Sequence, residues 1–360
     1  MRVLITGAKG FIGSNLSITL ETMGIKVHKF ESHHNTKDLQ NMICDSDFVV
    51  HLAGVNRPKS TEDFYEGNVG LTEIVVDLLE KYNPVPILIS SSIQVEKDND
   101  YGKSKKMAEE VVSKYDKSYI LRLHNVYGKW SKPNYNSVVA TWCHNIARGL
   151  EVEISDRSHE VPFVYIDDVV DKIVRIIQGE LPYGLHMIDE VDLVSLGEVY
   201  DLLVSFKRSR EDLFYPNLST RFSKNLYSTY LSYIPINEMK YSLLMHEDHR
   251  GSFTEVLKSN DVGQISINVS KPGITKGEHW HHSKNEKFLV VYGKGIIEMR
   301  HMLNNQKIQY SVSGDKLEVI DIPTGYTHNI INVGETDMVT LMWANEVFDK
   351  ENPDTYYEEV

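Results

Sequence analysis

Residues 2–13 read RVLITGAKGFIG: five mostly apolar residues, then glycines at Gly7, Gly10 and Gly13, then the opening of an apolar-periodic stretch. An apolar run too short for a helix and followed at once by glycine is a strand entering a tight turn. Glycine supplies the backbone freedom that such a turn needs. The helix behind it points unpaired N–H groups and the positive end of its dipole at whatever occupies the loop. A strand, glycine loop and helix in this order form the pyrophosphate-binding start of a doubly wound α/β domain, although the glycine spacing here differs from the commoner G-x-G-x-x-G. Glu31 lies where an acidic side chain would hold ribose hydroxyls. Lys29, His33, His34 and Lys37 surround it and would suit a 2′-phosphate, so both nucleotides stay open.

The pattern continues outward. KVHKF (26–30), DFVVHLA (47–53), PILIS (86–90) and YILRL (119–123) read as further strands, separated by helical stretches over Asn15–Met23, Thr72–Lys81 and Tyr101–Tyr115. Such alternation, with nearly all-apolar strands, predicts a parallel sheet covered on both faces. From residue 246 the texture changes to short runs with turn signals, among them QISINVS, QKIQYSV and KLEVIDI. These predict an antiparallel sandwich or small barrel. The expected division is 1–245 and 246–360, with the aromatic stretch Asn225–Leu244 as a packed connector. A length of 360 residues suits two domains.

The net charge of −13 and the absence of a basic run argue against nucleic acid as a partner. No apolar run is long enough to span a membrane. Cys44 and Cys143 have no ligand spacing, and the first strand begins at residue 2, so a reducing, cytoplasmic setting is expected.

Two constellations carry chemistry. YGKSK places Tyr101 and Lys105 one helical turn apart, and ILISSSIQV puts serines at the carboxyl end of a strand, where a doubly wound sheet opens its crevice. An ammonium beside a phenol is expected to lower its pKa, and the phenol can then exchange a proton with a carbonyl or alcohol oxygen while hydride moves. Tyr-x-x-x-Lys alone is common by chance; the glycine loop, serines and helix in sequence are not. The second constellation is GITKGEHWHHSKNEKFLVVYG (273–293), joined by PTGYTHNIIN further on. Alternation along a strand puts His279 and His281 on one face, with His282 turned away. Glu286 and His328 complete a set suited to Zn, Fe, Mn or Ni, zinc foremost. A structural ion is the alternative to a catalytic one.

On these motifs, with HLAGVNRP, RLHNVYG (122–128) and FVYIDDVV (163–170), residues 1 to about 245 resemble the extended short-chain dehydrogenase/reductases. The resemblance implies a Rossmann fold with Ser92, Tyr101 and Lys105 as catalytic residues. It also implies a nicotinamide nucleotide held against Gly7, Gly10, Phe11, Ile12, Gly13, Leu52, Ala53, Tyr101 and Lys105. His124 stands where that family usually has proline. Ile93 and Gln94 occupy the acid/base positions of its 4,6-dehydratases, which implies a reductase or epimerase instead. The histidine strings match both cupin motifs, implying a jelly-roll barrel, and DHRGSFTEV (248–256) resembles the nucleotide-sugar 3,5-epimerases. In those enzymes the histidine matching His279 is the base, which conflicts with a metal-bound imidazole. Tyr326 is the candidate acid. Lys132, Asn134 and Arg157 are candidates for the uridine diphosphate.

Together the halves resemble the bifunctional CapF-type capsular polysaccharide enzymes. That resemblance implies epimerisation of carbon 3 of a 4-keto UDP-sugar in the cupin domain and NADPH reduction of carbon 4 in the Rossmann domain. The implied product is UDP-2-acetamido-2,6-dideoxy-beta-L-talose, made by a homo-oligomer, dimer or higher. The alternatives are a reductase or 4-epimerase whose cupin serves only binding or dimerisation, and a non-catalytic NADP sensor.

Overall fold

The computed structural model describes residues 1–58 and 60–360. The five expected runs become parallel strands and Gly184–Met187 adds a sixth, in the order Lys26–Phe30, Arg2–Thr6, Phe48–His51, Ile87–Ser92, Ser118–Leu123 and Gly184–Met187. Successive strand residues point to opposite faces, and in the four central strands both faces are buried. Val3, Ile5, Val50, Leu88 and Leu121 pack into one cluster. Leu4, Val49, Ile87, Ile89 and Ile120 pack into the other. That two-sided burial is why these four strands carry no polar alternation, whereas the edge strands Lys26–Phe30 and Gly184–Met187 stay partly exposed. Strand Arg2–Thr6 pairs with Lys26–Phe30 on one side and Phe48–His51 on the other. The winding reverses there, and a doubly wound sheet opens its ligand crevice at such a switch point. A small sheet of Asn125–Tyr127, Glu160–Tyr165 and Asp192–Ser195 accompanies it.

The chain divides into two compact units, 1–204 with 218–236 and 205–217 with 237–360. Residues 213–215 join the second unit through Lys258, whose N–H donates to Leu213 O at 2.8 Å and whose carbonyl accepts from Tyr215 N at 2.7 Å. A helix, Arg221–Leu231, runs into the stretch expected as a connector, with the Thr220 side chain accepting from Ser223 N at its start.

The second unit is two antiparallel sheets, one of six strands and one of five. Phe288, Val290, Ile297, Met299, Val312, Ile322, Ile330 and Met338 from both sheets share a core. No helix among the described residues is long and apolar enough to cross a membrane.

Candidate functional site

The glycine loop is set by backbone packing. Gly7 has φ +69°, and a Cβ there would stand 2.9 Å from Ala53 N. The loop therefore lies against Leu52–Ala53, just past the neighbouring strand. Gly10 precedes helix Phe11–Thr22 and offers no side-chain cap, so the first-turn N–H groups around Phe11 and Ile12 are left for an anion. A Cβ on Gly13 would come within 2.3 Å of Gly7 O, so only glycine lets the helix close onto its own loop. The cradle fits a dinucleotide diphosphate.

At the end of strand Lys26–Phe30, Glu31 lies 3.8 Å from Lys9, and its Oε1 is buried without a partner. Lys29 is taken by Glu21 at 2.7 Å, which removes it from the expected phosphate cluster. His34 Nδ1 accepts the Glu31 N–H at 3.0 Å, and the exposed His33 ring stacks 4.0 Å from it.

Ser92 ends strand Ile87–Ser92, and Tyr101 opens the next helix, Asp100–Val112, which Asn99 caps through Gly102 N at 2.7 Å. A Cβ on Gly102 would meet Gln94 O at 2.2 Å. Glycine there presses the helix start onto the turn that follows Ser92, bringing the hydroxyls of Ser92 and Tyr101 together. Burial raises the Tyr101 pKa, and the hydrogen bond with Ser92 offsets part of the rise. This corrects the expectation that Lys105 would lower it: in the folded chain desolvation prevails and the phenol keeps its proton. Lys105 is itself pushed down to about 8 by burial, against the pull of Glu109.

Behind this set runs a buried polar chain that the sequence reading missed. Thr6 Oγ1 meets His51 Nδ1 at 2.7 Å, and His51 Nε2 meets Thr72 Oγ1 at 3.0 Å. Thr72 donates to Asn68 O at 2.6 Å, Asn68 Nδ2 to Ser104 Oγ at 2.9 Å, and Ser104 Oγ to Tyr101 O at 2.8 Å. Asn68 sits in a π-helical turn, Glu66–Gly70, a device that re-aims a side chain inside a helix. Burial, with Lys105 adding to it, drives the His51 pKa down to about 3, so the ring is neutral. The available signal was the polar His51 at the end of an otherwise apolar strand.

In the second unit His279 pairs directly across from His328. A bulge between Gly277 and His279 puts Glu278 at φ +60°. His281 lies one residue past strand Thr275–Trp280, and Glu286 opens the next strand. Ligand atoms from all four expected residues lie within 4.8 Å of one another. Glu286 Oε2 is 3.1 Å from His328 Nε2 and 3.5 Å from His281 Nε2, yet none of these atoms makes an aligned hydrogen bond inside the fold. Buried polar groups without partners are costly. Their convergence on one point is what a cation would resolve, and the donor set of three imidazoles and a carboxylate fits a divalent transition metal.

Burial alone would raise the Glu286 pKa, but the His281 and His328 imidazoles outweigh it and hold the carboxyl well below its usual range. Burial, reinforced by His328, takes the His279 pKa down to about 4. Neutral imidazole and ionised carboxylate are the states a metal requires. His282 is exposed and meets the Trp280 ring edge-on at 4.3 Å, away from the cluster as expected. Tyr326 shares the inner face two residues before His328, its ring 4.8 Å from that of His301.

The remaining named residues scatter. Arg157 is committed to Asp201 by a bidentate pair at 2.6 and 2.7 Å. Asn134 has φ +54°, and its N–H donates to Thr141 Oγ1. Lys132 and Arg57 both approach the Tyr135 ring, at 5.4 and 5.7 Å. His124 Nδ1 is buried without a partner.

A glycine-looped α/β crevice carrying Ser, Tyr and Lys, on the same chain as a sandwich with a four-ligand cluster, defines a class: a nucleotide-dependent epimerase/dehydratase-type domain joined to a cupin. Residues 3–183 match the NAD dependent epimerase/dehydratase family. Residues 246–356 match the polysaccharide biosynthesis C-terminal domain. The chain is 44% identical to the UDP-2-acetamido-2,6-beta-L-arabino-hexul-4-ose reductase of Pseudomonas aeruginosa, over 99% of this chain and 98% of that one. It is 50% identical to the crystal structure of the capsular polysaccharide assembling protein CapF from Staphylococcus aureus, with a TM-score of 0.94 and complete coverage of both chains. A structure of CapF with the inhibitor 3-isopropenyl-tropolone aligns at TM-score 0.88 and 47% identity, again over both whole chains. The chain belongs to the CapF family.

Proposed function

We propose that this chain acts on a UDP-2-acetamido-2,6-dideoxy-4-hexulose in two steps, on the way to a capsular or surface polysaccharide. The cupin unit inverts carbon 3 next to the ketone, and the α/β unit reduces carbon 4 with NADPH to give UDP-2-acetamido-2,6-dideoxy-beta-L-talose. The observation that carries the reading is the presence of two complete constellations on one chain, Ser92–Tyr101–Lys105 and His279–His281–Glu286–His328. The 44% identity to a UDP-hexulose reductase supports the substrate class.

In the reductive step Gly7, Gly10, Phe11, Ile12, Gly13, Leu52 and Ala53 would hold the dinucleotide, whose nicotinamide would supply hydride. Tyr101, its phenol kept protonated by burial, delivers a proton to the carbonyl oxygen. Ser92 orients that phenol and shares the same oxygen, and Lys105 holds the ribose. The exposed Lys37, at the start of the helix after the second strand, would meet a 2′-phosphate with His33 nearby, which favours NADPH. In the epimerising step His279, His281, Glu286 and His328 would hold a divalent ion, zinc foremost, which would stabilise the negative charge left on the ketone oxygen. The carbon 3 proton passes to a base on one face of the sugar, and Tyr326, on the same face of the sheet as His328, is the acid that returns a proton to the other. Arg57 and Lys132, two cations flanking one tyrosine ring, suit the diphosphate. The same reading carries a cytoplasmic homo-oligomer, dimer or higher.

NMR of the product formed in deuterated water with NADPH tests both steps. Deuterium at carbon 3 together with an equivalent of NADP is the expected result. Cofactor oxidation with carbon 3 unlabelled would favour the reading in which the cupin only binds or assembles.

A further inference from the structure

The last residues of the chain are fastened to the parts of the second unit that carry the four clustered side chains. Asp354 makes five of the hydrogen bonds. Its carbonyl accepts from His281 Nδ1 at 2.6 Å. Its carboxylate accepts from the backbone N–H groups of His282 at 3.0 Å, Ser283 at 2.8 Å and Lys284 at 2.9 Å, and from Ser283 Oγ at 2.9 Å. These contacts span the turn between His281 and Glu286. Asp354 makes them from φ +39°, in the left-handed region, where aspartate is among the few non-glycine residues tolerated.

The neighbours of Asp354 continue the seam. Lys284 Nζ donates to Pro353 O at 2.9 Å. Tyr356 and Tyr357 pair as a short strand with Trp280 and His279. Glu358 N donates to Glu278 O at 3.0 Å, and Thr327, beside His328, donates through Oγ1 to Glu358 O. Arg300 reaches the Glu358 carboxylate at 2.8 Å, and Val360 N reaches Glu278 Oε2 at 2.8 Å.

We propose that residues 353–360 are a strap that completes the metal site, with Asp354 as its positioning residue; the inference rests on the metal reading given above. A carbonyl can only accept, so His281 Nδ1 carries the proton and Nε2 presents its lone pair to the cluster. The carboxylate fixes the turn that sets the spacing of His281 from Glu286. The paired Tyr356–Tyr357 holds the strand end at His279, and Glu358 ties in the strand of His328. The strap thus touches the backbone next to three of the four ligands, or a ligand itself, without supplying a ligand atom. Partners of this kind set metal affinity by orienting rings that would otherwise rotate.

The test is metal binding by the full-length chain, stripped and titrated with Co²⁺ while its visible absorption is recorded, then with Zn²⁺ against a chromophoric chelator. Asp354→Ala is expected to weaken zinc binding about tenfold to hundredfold. A chain ending at Asn352 should weaken it further and alter the cobalt spectrum. Glu351→Ala should bind as the parent does. Parent-like affinity and an unchanged cobalt spectrum in the Asp354→Ala and shortened chains would overturn the strap while leaving the metal reading intact. A parent chain that takes up neither ion would overturn both. Should the variants fail to fold, hydrogen exchange on the unaltered chain decides: zinc must slow exchange at residues 282–284 and 355–360 together. Protection confined to the histidine strands would contradict the strap.

Discussion

The two sites solve opposite problems with polar atoms. In the α/β unit the polar groups behind the crevice satisfy one another, from Thr6 through His51, Thr72, Asn68 and Ser104 to the Tyr101 backbone. Glycines at the front leave room for a large flat ligand. In the second unit the converging atoms of His281, Glu286 and His328 are enclosed without an aligned hydrogen bond. A fold that prepares for an organic cofactor does so with shape and finished hydrogen bonds. The second unit does the reverse, and buried groups without aligned partners are what a bound cation would satisfy.

This contrast can be broken most sharply at the chemistry itself. Tyr101→Phe should reduce NADPH-dependent turnover by roughly 10²- to 10⁴-fold, measured as loss of absorbance at saturating cofactor, with zinc affinity unchanged. A comparable loss of zinc binding would mean that the two sites are not independent. Gly7→Ala places a side chain at φ +69° and 2.9 Å from Ala53 N. NADPH binding, read by nucleotide fluorescence, should fall by at least tenfold while metal content holds.

Acidity offers a finer probe. Lys105 is held down to about 8 against an ordinary 10.5, so kcat/KM for reduction should decline about tenfold per pH unit above pH 8 as its ammonium is lost. Between pH 8 and 10.5 the unfolded chain still holds the proton that the folded chain has released. Stability should therefore rise with pH across that window while activity falls, provided the other groups are matched. An alkaline limb first appearing near pH 10 would contradict the burial of Lys105. Smallest is the relay: His51→Leu leaves the Thr6 and Thr72 hydroxyls short of a buried partner. It should cost about 1–3 kcal/mol in chemical unfolding, with zinc binding unaffected.

What the sequence made legible was short-range. Gly7, Gly10 and Gly13, the Tyr101–Lys105 turn and the His279–His281 alternation each sit within a few residues, where strand and helix periods dictate which side chains meet. Glu286 followed because only a short turn separates it from His281, and His328 because its strand pairs back onto that of His279. Long-range or environmental features were not legible. Asp354 is 73 positions from His281, and nothing local marks it. Residues 213–215 belong to the second unit through a pairing with Lys258 that no periodicity announces. The direction of the Tyr101 shift depends on how much water is excluded around the phenol, and spacing alone favoured the ammonium. Arg157 and Lys29 were assigned by position, and each proved to have an acidic partner on the surface.

Deuterium incorporation at carbon 3 of the 4-keto UDP-sugar, compared between Tyr101→Phe and Glu286→Ala chains supplied with NADPH, bears most directly on the claim that two separate constellations share one substrate. The Tyr101→Phe chain should exchange carbon 3 with solvent while leaving NADPH unoxidised, and the Glu286→Ala chain should leave carbon 3 unlabelled. Labelling that survives in Glu286→Ala and disappears in Tyr101→Phe would contradict it.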